Sequence, residues 1–266
     1  MLFFSFHKFL RITNLLQGAA FLLVLVGGCA LLVQGAENLG YTWHWNRVPR
    51  YLYTLSAAGW QAGPLLQGLG LTLEITAVSL LLSLLIGLLT AMMRLAQSPM
   101  ARGVSWVYLE AIRNTPLLIQ IFIIYFVFAP ILDLGRFSSA VLALSLFEGA
   151  YASEIIRAGI LGLPRGQWES SASLGLKIPQ IYRYIILPQA IRQMIPPLTS
   201  QGISLVKDSA LVSTIAIYDL TMQGQEIVAE TFLTFEIWLT VAAIYLVVTA
   251  MLSLLVRYLE SFFAIH

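Results

Sequence analysis

The chain has 266 residues, of which 59% are hydrophobic and 11% are charged, and its formal net charge is +2. Ordinary soluble domains carry about 25% charged residues, so this composition excludes a soluble globular protein. A helix that spans a bilayer needs about 20 mostly apolar residues, because in lipid every backbone N–H and C=O must be bonded within the element. The sequence therefore predicts an all-α membrane protein, with no nucleic-acid partner.

Several stretches are long and apolar enough to span a membrane. We predict six spans, at residues 15–34, 65–93, 116–132, 138–152, 189–218 and 237–256. The fourth is short, which leaves five spans as an alternative, but Ile155 and Ile156 allow this helix to continue. In the fifth, the pair Pro196 and Pro197 is expected to bend or break the helix, either as a hinge or as a feature of packing.

The first span has a competing interpretation as a cleaved signal peptide, because Lys8 and Arg11 precede it. The apolar run is longer than the core of a typical signal peptide and continues beyond Cys29, which favours an uncleaved helix. Cys29 is the only cysteine, so no disulfide can form within the chain.

The distribution of Lys and Arg predicts the orientation, since these residues gather in cytoplasmic loops. With a cytoplasmic N-terminus, the outer segments hold only Arg47, Arg50 and Arg136, and Lys207 lies within a span. The inner segments then hold Lys8, Arg11, Arg94, Arg102, Arg113, Arg157, Arg165, Lys177, Arg183, Arg192 and Arg257. This asymmetry predicts that the N-terminus and the polar stretch at residues 166–188 are cytoplasmic.

The polar stretch at residues 166–188 is predicted to form a helix, a glycine turn and a second helix. Glu169 is placed in the first helical turn, where a carboxylate meets the positive end of the helix dipole. Gly175 is a plausible C-terminal cap, since glycine adopts a left-handed backbone without steric cost. Pro179 suits the first turn of the second helix, where its missing N–H is not needed.

The two predicted short helices carry different surfaces. The first has almost no side-chain bulk along Ser170, Ser171, Ala172 and Ser173, which allows close approach of another backbone or a groove. The second carries an apolar stripe at helical spacing that can pack against the membrane domain, formed by Ile178, Ile181, Tyr182 and Ile185. From these features alone, an ordinary interfacial amphipathic hairpin remains an equal alternative.

The spacing within this stretch carries a family resemblance. Its fixed positions are Gly166, Glu169, Ser170, Ser171, Gly175, Ile185, Leu187 and Pro188. They resemble the cytoplasmic EAA loop of ABC importer permeases, written E-A-A-x3-G-x9-I-x-L-P. Two serines replace the two alanines, which keeps the surface small. The segments "RNTPLLIQIFIIYF", "EGAYASEIIRAGILGLPRGQ" and "ILPQAIRQMIPPLTSQGISLVKDSALVSTI" resemble the polar-amino-acid branch of that family, and the resemblance covers residues 68–260.

The resemblance implies a type I ABC importer transmembrane domain with a five-helix core and one extra N-terminal helix in the bacterial inner membrane. Residues 1–67 are the addition, residues 68–260 the permease core, and the coupling loop lies at about 164–188. Two permease chains, identical or different, would form the pathway above two ATP-binding subunits, and an external binding protein would deliver an amino acid. The residues expected to couple to the ATP-binding subunit are Gly166, Glu169, Ser170, Ser171, Leu174, Gly175 and Pro188.

The chain itself is not expected to be an enzyme. A phosphate-binding loop needs Gly directly before its Lys, whereas Lys8, Lys177 and Lys207 follow His, Leu and Val. ATP and Mg²⁺ are therefore expected in the partner subunit, and this chain is expected to need no cofactor or metal of its own. A secondary transporter or channel, and a structural scaffold, remain alternative classes.

Ionisable residues within the predicted spans are functional candidates, because a membrane-embedded charge is costly unless paired or hydrated. Glu74 and Glu148 are two of them, and a hydrogen bond to another helix is expected for Glu148. Lys207 and Asp208 are expected to form a structural pair or to contact substrate. The candidates for the substrate path are Glu148, Gln201, Ser204, Lys207 and Asp208. The resemblance of "LPRGQ", "YRYIILPQA" and "PPLTSQ" to glutamate/aspartate permeases favours an acidic substrate, although the absent binding protein makes that selection.

Overall fold

The computed structural model describes residues 40–56 and 59–263, together with scattered positions between residues 18 and 35. The chain divides into two compact units, Met1–Trp45 and Asn46–His266. The first predicted span and its signal-peptide alternative lie largely outside the described residues, and the predicted domain boundary near residue 67 stays a prediction.

The second unit is helical apart from one hairpin. A short helix, α1, precedes two antiparallel strands in which Tyr53 pairs with Ala62. The elements up to the middle of the chain are α1 (Pro49–Leu52), β1 (Tyr53–Ser56), β2 (Gly59–Ala62), α2 (Pro64–Leu95), α3 (Pro99–Arg113), α4 (Leu117–Leu132, with a π-helical middle at Ile123–Phe128) and α5 (Arg136–Leu161).

The second half of the chain contains two short helices between long ones. A π-helical turn, Tyr182–Ile186, joins α7 to α8, and a 3-10 segment, Ser209–Ile215, follows α8. The helices are α6 (Arg165–Ser173), α7 (Ile178–Ile181), α8 (Leu187–Asp208), α9 (Leu220–Thr231) and α10 (Thr234–Phe263).

Three of these helices, α2, α5 and α10, are individually long and apolar enough to cross a membrane. Helices α3 and α4 meet that test as a pair that bends by 107° at the break between them. The predicted spans at 65–93, 138–152 and 237–256 are confirmed as long helices. The fourth predicted span continues to Leu161, as Ile155 and Ile156 indicated.

The fifth predicted span is interrupted, but not at its prolines. Pro196 and Pro197 lie inside α8, which continues to Asp208, so the predicted possibility of a break at this pair is wrong. Both rings are exposed, which leaves the packed face of α8 intact. The α-helix ends instead at Asp208, and in the 3-10 segment that follows it Ser209 and Ser213 donate hydrogen bonds to carbonyls three residues earlier. Such local bonds compete with the regular α-helical pattern.

Small side chains bring α2 and α5 into close contact at the centre of the bundle. A Cβ atom at Gly87 would lie 2.7 Å from the Cβ of Ala152, and one at Gly149 would lie 2.8 Å from Cγ2 of Ile86. Membrane helices approach each other through such residues, since lipid supplies no hydrophobic force between them. The buried small or hydroxyl residues along α2 are Gly68, Thr72, Thr76, Ser79, Ser83, Gly87, Thr90 and Ala91.

Candidate functional site

The segment formed by α6, the glycine turn, α7 and the π-helical turn (residues 165–186) is called the elbow below. Gly175 has φ +75° and ends α6. Its N–H donates to the Ala172 carbonyl at 2.9 Å, and the Leu176 N–H donates to the Ser171 carbonyl at 3.3 Å. This pair of bonds is a Schellman motif, so the predicted cap at Gly175 is confirmed.

The start of α7 also follows the sequence prediction. Pro179 lies in its first turn, where no N–H is required. The Gln180 side-chain oxygen accepts a hydrogen bond from the Lys177 N–H at 2.8 Å. This bond satisfies a backbone donor at the helix N-terminus, so the beginning of α7 is fixed by local contacts.

The predicted position of Glu169 in the first turn of its helix is wrong. α6 begins at Arg165, directly after Pro164, which places Glu169 in the second turn. Proline disfavours helical backbone in the residue before it, and Pro164 itself is extended (φ −56°, ψ 136°), so the helix begins immediately beyond it. Glu169 is exposed, and its carboxylate is available to a partner rather than to the helix dipole.

The outward surface of the elbow carries mostly small side chains. Ser170, Ala172 and Ser173 are exposed, and Leu174 is 80% exposed. Ser171 differs from the expectation, because it is buried and its hydroxyl donates to the Gln167 carbonyl within the helix. The low-bulk surface is therefore formed by the neighbours of Ser171 rather than by all four predicted residues.

The inward surface of the elbow packs on an apolar cluster at one end of the bundle. The Trp168 and Tyr182 rings meet edge to face with their centroids 5.2 Å apart. The prediction that Ile178 joins this contact is wrong, because that side chain is 69% exposed. The elbow cluster consists of the buried residues Ala91, Ile156, Ile160, Leu163, Ile181, Ile186, Ala190 and Met194, with Leu95, Ile155, Trp168, Leu176, Tyr182, Ile185 and Leu198 packed against them.

This cluster connects the elbow directly to the long helices. Ile156 and Ile160 belong to α5, Ala190 and Met194 to α8, and Ala91 to α2. A close-packed interior transmits displacement because it has few voids and low compressibility. The elbow therefore contacts the ends of three long helices through one closely packed cluster.

An arginine network lies at the same end of the bundle and was not predicted. The Glu154 carboxylate accepts from Arg94 at 2.6 Å and from Arg157 at 3.1 Å, and Arg113 lies 3.9 Å from it. These residues come from α5, α2 and α3. The i, i+3 spacing of Glu154 and Arg157 was the only local signal in the sequence, since the other two partners are distant along the chain.

The substrate-path candidates do not all face the same way. Glu148 is 2% exposed, and Gln201 and Asp208 of α8 lie near its carboxyl group. Neither oxygen of Glu148 has a hydrogen bond of normal geometry to a described residue. The expected hydrogen bond from Glu148 to another helix is therefore not formed with normal geometry. Ser204 is half-buried, whereas Lys207 is exposed and forms no ion pair with Asp208 in the described part of the chain.

A bundle of apolar helices with an embedded acidic group and an elbow seated on the helix ends defines the membrane-spanning subunit of a transporter. Residues 83–264 match the profile of a family described as "binding-protein-dependent transport system inner membrane component". The chain belongs to this family and, within it, to the amino acid ABC transporter permeases.

Relatives at substantial identity carry different substrate names. The glutamine transport system permease protein GlnP of Escherichia coli K12 is 40% identical, over 77% of this chain and 95% of its own length. The L-cystine transport system permease protein TcyB of Bacillus subtilis 168 is 42% identical, over 73% and 83%. The glutamate/aspartate import permease protein GltJ of E. coli K12 is 30% identical, over 73% and 84%.

Solved structures support the predicted fold class. The chain resembles a crystal structure of an amino acid ABC transporter with histidines, with a TM-score of 0.71 and 37% identity over 74% of this chain and 93% of that one. It also has the fold of the inward-facing MetNI methionine ABC transporter, with a TM-score of 0.62 and 20% identity over 75% and 95%. The prediction of an all-α ABC importer transmembrane domain is confirmed.

Proposed function

We propose that this chain is the permease subunit of an ATP-driven, binding-protein-dependent importer of a polar amino acid. The observation that carries the proposal is the elbow, which exposes low-bulk residues and Glu169 outward and rests on the elbow cluster inward. A surface of this kind suits insertion into a cleft of a separate motor subunit. Close packing behind it suits transmission of that subunit's movement to α2, α5 and α8.

The proposed assembly has two permease chains, two ATP-binding subunits beneath them and an external substrate-binding protein. ATP hydrolysis, with its Mg²⁺, is assigned to the ATP-binding subunit, because no lysine in the sequence follows a glycine. Closure of the two motor subunits would move the elbows and switch the permease cavity from outward-facing to inward-facing. The permease partner is either a second copy of this chain or a different chain of the same family.

The proposed orientation places the N-terminus and the elbow in the cytoplasm of a bacterial inner membrane. It rests on the excess of Lys and Arg in the segments on that side. The described arginines Arg94, Arg102, Arg113 and Arg157 all belong to helix ends or to α3 on the side of the elbow. The segment 219–236 contains acidic residues and no Lys or Arg, which suits the outer face.

Charge reversal at Glu169 tests the coupling role. In Glu169→Arg, retention of the ATP-binding subunit during purification is expected to fall by roughly tenfold or more. The introduced guanidinium would face the basic groups that the Glu169 carboxylate attracts, and such a like-charge contact costs at least ~1.4 kcal/mol. Glu230→Arg is the matched control, since Glu230 is also exposed but lies on α9. Equal retention in the two variants, with both chains inserted in the membrane, would contradict a motor contact at the elbow.

The substrate is proposed to be a polar amino acid whose side chain has no negative charge. Glu148 and Asp208 place two acidic groups near Gln201, which favours a ligand ammonium over an additional carboxylate. Relatives named for glutamine and cystine transport are compatible with this class. The acidic substrate favoured by sequence resemblance stays a prediction, and uptake of labelled glutamine, cystine and glutamate in a strain lacking this chain distinguishes the two.

Replacement of Glu148 tests the pathway. Glu148→Gln keeps the shape of the side chain but removes its charge. Uptake and substrate-stimulated ATPase activity are therefore expected to fall by roughly tenfold, which corresponds to the loss of one charge-assisted bond to the ligand ammonium. Glu230→Gln is the control, because Glu230 is an exposed acid on α9, outside the spanning helices. Lys207→Met is also expected to lower transport if its exposed ammonium faces the second permease chain, and unchanged transport would remove Lys207 from the pathway.

A further inference from the structure

A cationic cavity lies between the end of α2 and the adjoining α3, outside the elbow and the substrate path. It has a volume of about 460 Å³ and is lined by Arg94, Arg102, Gly103 and Trp106. A Cβ atom placed on Gly103 would have no other atom within 4 Å. The cavity is therefore open at the glycine and bounded by two guanidinium groups and an indole ring.

The charges around the cavity are not balanced by the described residues. Glu154 is the one carboxylate in the ion-pair network and is shared among Arg94, Arg113 and Arg157. Arg102 uses its Nε to donate to the Ala96 carbonyl at 2.8 Å and forms no ion pair with a described carboxylate. The cavity consequently carries excess positive charge in a planar, fork-shaped form that suits a phosphate group.

An apolar stripe of α3 borders the cavity. Met100, Val104 and Val107 recur at the i, i+4, i+7 spacing of one helix face and are 80%, 53% and 59% exposed. Trp106, on the cavity wall, is 58% exposed, and tryptophan favours the boundary between headgroups and hydrocarbon. A ligand that satisfies both surfaces has an anionic head and hydrocarbon tails.

We propose that this cavity binds the headgroup of an anionic phospholipid, with its phosphate between Arg94 and Arg102 and its acyl chains along Met100, Val104 and Val107. The inference rests on the proposed orientation, which places this end of α2 at the cytoplasmic leaflet, where anionic lipids attract basic pockets between helices. Because Arg94 also binds Glu154, the lipid braces the junction of α2, α3 and α5 beside the elbow cluster.

The test is native mass spectrometry of the permease purified with its ATP-binding subunit from membranes containing phosphatidylglycerol or only phosphatidylcholine. One phosphatidylglycerol is expected to remain bound per permease chain, and phosphatidylcholine is expected to dissociate.

In Arg102→Gln, occupancy is expected to fall by roughly tenfold, because charge-assisted bonds to the phosphate are lost. Gly103→Leu adds bulk at the open side of the cavity without removing charge and should lower occupancy similarly. Arg257→Gln, which removes an exposed arginine from α10, is the matched control and should retain the lipid.

Several outcomes would overturn the assignment. Equal retention of the two lipids, or equal loss in Arg257→Gln, would indicate only unspecific annular lipid. Stabilisation of the complex by inorganic phosphate as large as that by phosphatidylglycerol would indicate a soluble phosphate ligand. Loss of the ATP-binding subunit in Arg102→Gln with lipid retained would indicate a protein contact. If no ATP-binding subunit co-purifies with the unmodified chain, the proposed function fails, but lipid occupancy of the permease still tests the cavity.

Discussion

At the scale of single residues, Asp219 at the N-terminus of α9 lies outside the spanning helices in an unusual electrostatic environment. Its Oδ1 accepts a hydrogen bond from the Met222 N–H at 2.8 Å, while Oδ2 is buried without a hydrogen bond to a described residue. Complete burial raises the pKa of this carboxyl group to about 6, despite the opposing effect of the backbone N–H bond. Asp219 thus caps α9, but its burial destabilises the folded chain when the carboxyl group is ionised.

This environment predicts a pH-dependent stability. Between the unfolded pKa of about 3.9 and the folded pKa of about 6, the folded chain binds more protons than the unfolded chain. The free energy of unfolding should therefore decrease as pH rises through this window, by ~3 kcal/mol, and stay level above it.

Asp219→Asn removes the charge but keeps the helix cap, because asparagine caps a helix about as well as aspartate. The variant should melt at a similar temperature to the unmodified chain near pH 4 and at a higher temperature near pH 7, as measured by thermal unfolding in detergent. Asp133→Asn is the control, since Asp133 lies in an exposed turn. A pH profile for Asp219→Asn parallel to that of the unmodified chain would contradict the assignment.

At the scale of elements, the close contact of α2 and α5 depends on glycine. Gly87→Leu would drive a side chain into Ala152 and the Gly149 carbonyl, which lie 2.7 Å and 3.1 Å from the Cβ position. Overpacking of this kind costs about 1–3 kcal/mol, so a lower melting temperature and a smaller monodisperse fraction in detergent are expected. Gly70→Leu is the control on the same helix, because its Cβ would meet nothing within 4 Å. Equal effects of the two variants would refute a specific contact at Gly87.

The sequence predicted those elements whose signals are local. The Gly175 cap and the Pro179 start require only a left-handed backbone and a missing N–H, both of which are properties of the residue itself. The start of α6 was placed too late, because nothing in the residues from Arg165 onward stops the helix from beginning directly after Pro164. A bend or break was predicted at Pro196 and Pro197, whereas the α-helix continues past them, and hydroxyl-to-carbonyl bonds at Ser209 and Ser213 accompany its change to 3-10 geometry.

Contacts between residues far apart in the chain could not be predicted from the sequence. The partners of Glu154 include Arg94, which is 60 positions away along the chain, and no periodicity indicates such a pair. The burial of Ser171 and the exposure of Ile178 likewise depend on how the elbow is rotated against α5 and α8. A helical stripe identifies the residues available for packing, but the neighbouring helices decide which of them are used.

At the scale of the whole second unit, two sets of contacts converge on one end of α5. The elbow cluster joins the elbow to α2, α5 and α8, and the arginine network joins α5 to α2 and α3. Glu148, near the middle of α5, faces Gln201 and Asp208 of α8. The elbow and the embedded acidic groups are therefore connected by the same two helices, α5 and α8. Under the proposed function, this continuity is the route by which movement at the elbow would reach a ligand within the membrane.

Trp168 is the side chain of α6 that makes the aromatic contact of the elbow cluster, so it should separate binding of the motor from transmission of its movement. In Trp168→Ala the outer surface with Glu169 is unchanged, but the edge-to-face contact with Tyr182 is lost. Such a pair contributes about 0.5–1.5 kcal/mol, so uptake per ATP hydrolysed should fall by roughly twofold to tenfold while the ATP-binding subunit stays bound. Trp168→Phe keeps an aromatic ring and should restore most of the coupling. Reconstituted vesicles in which transport and ATPase activity are measured together give this ratio, and a normal ratio in Trp168→Ala would show that movement reaches α5 and α8 by another route.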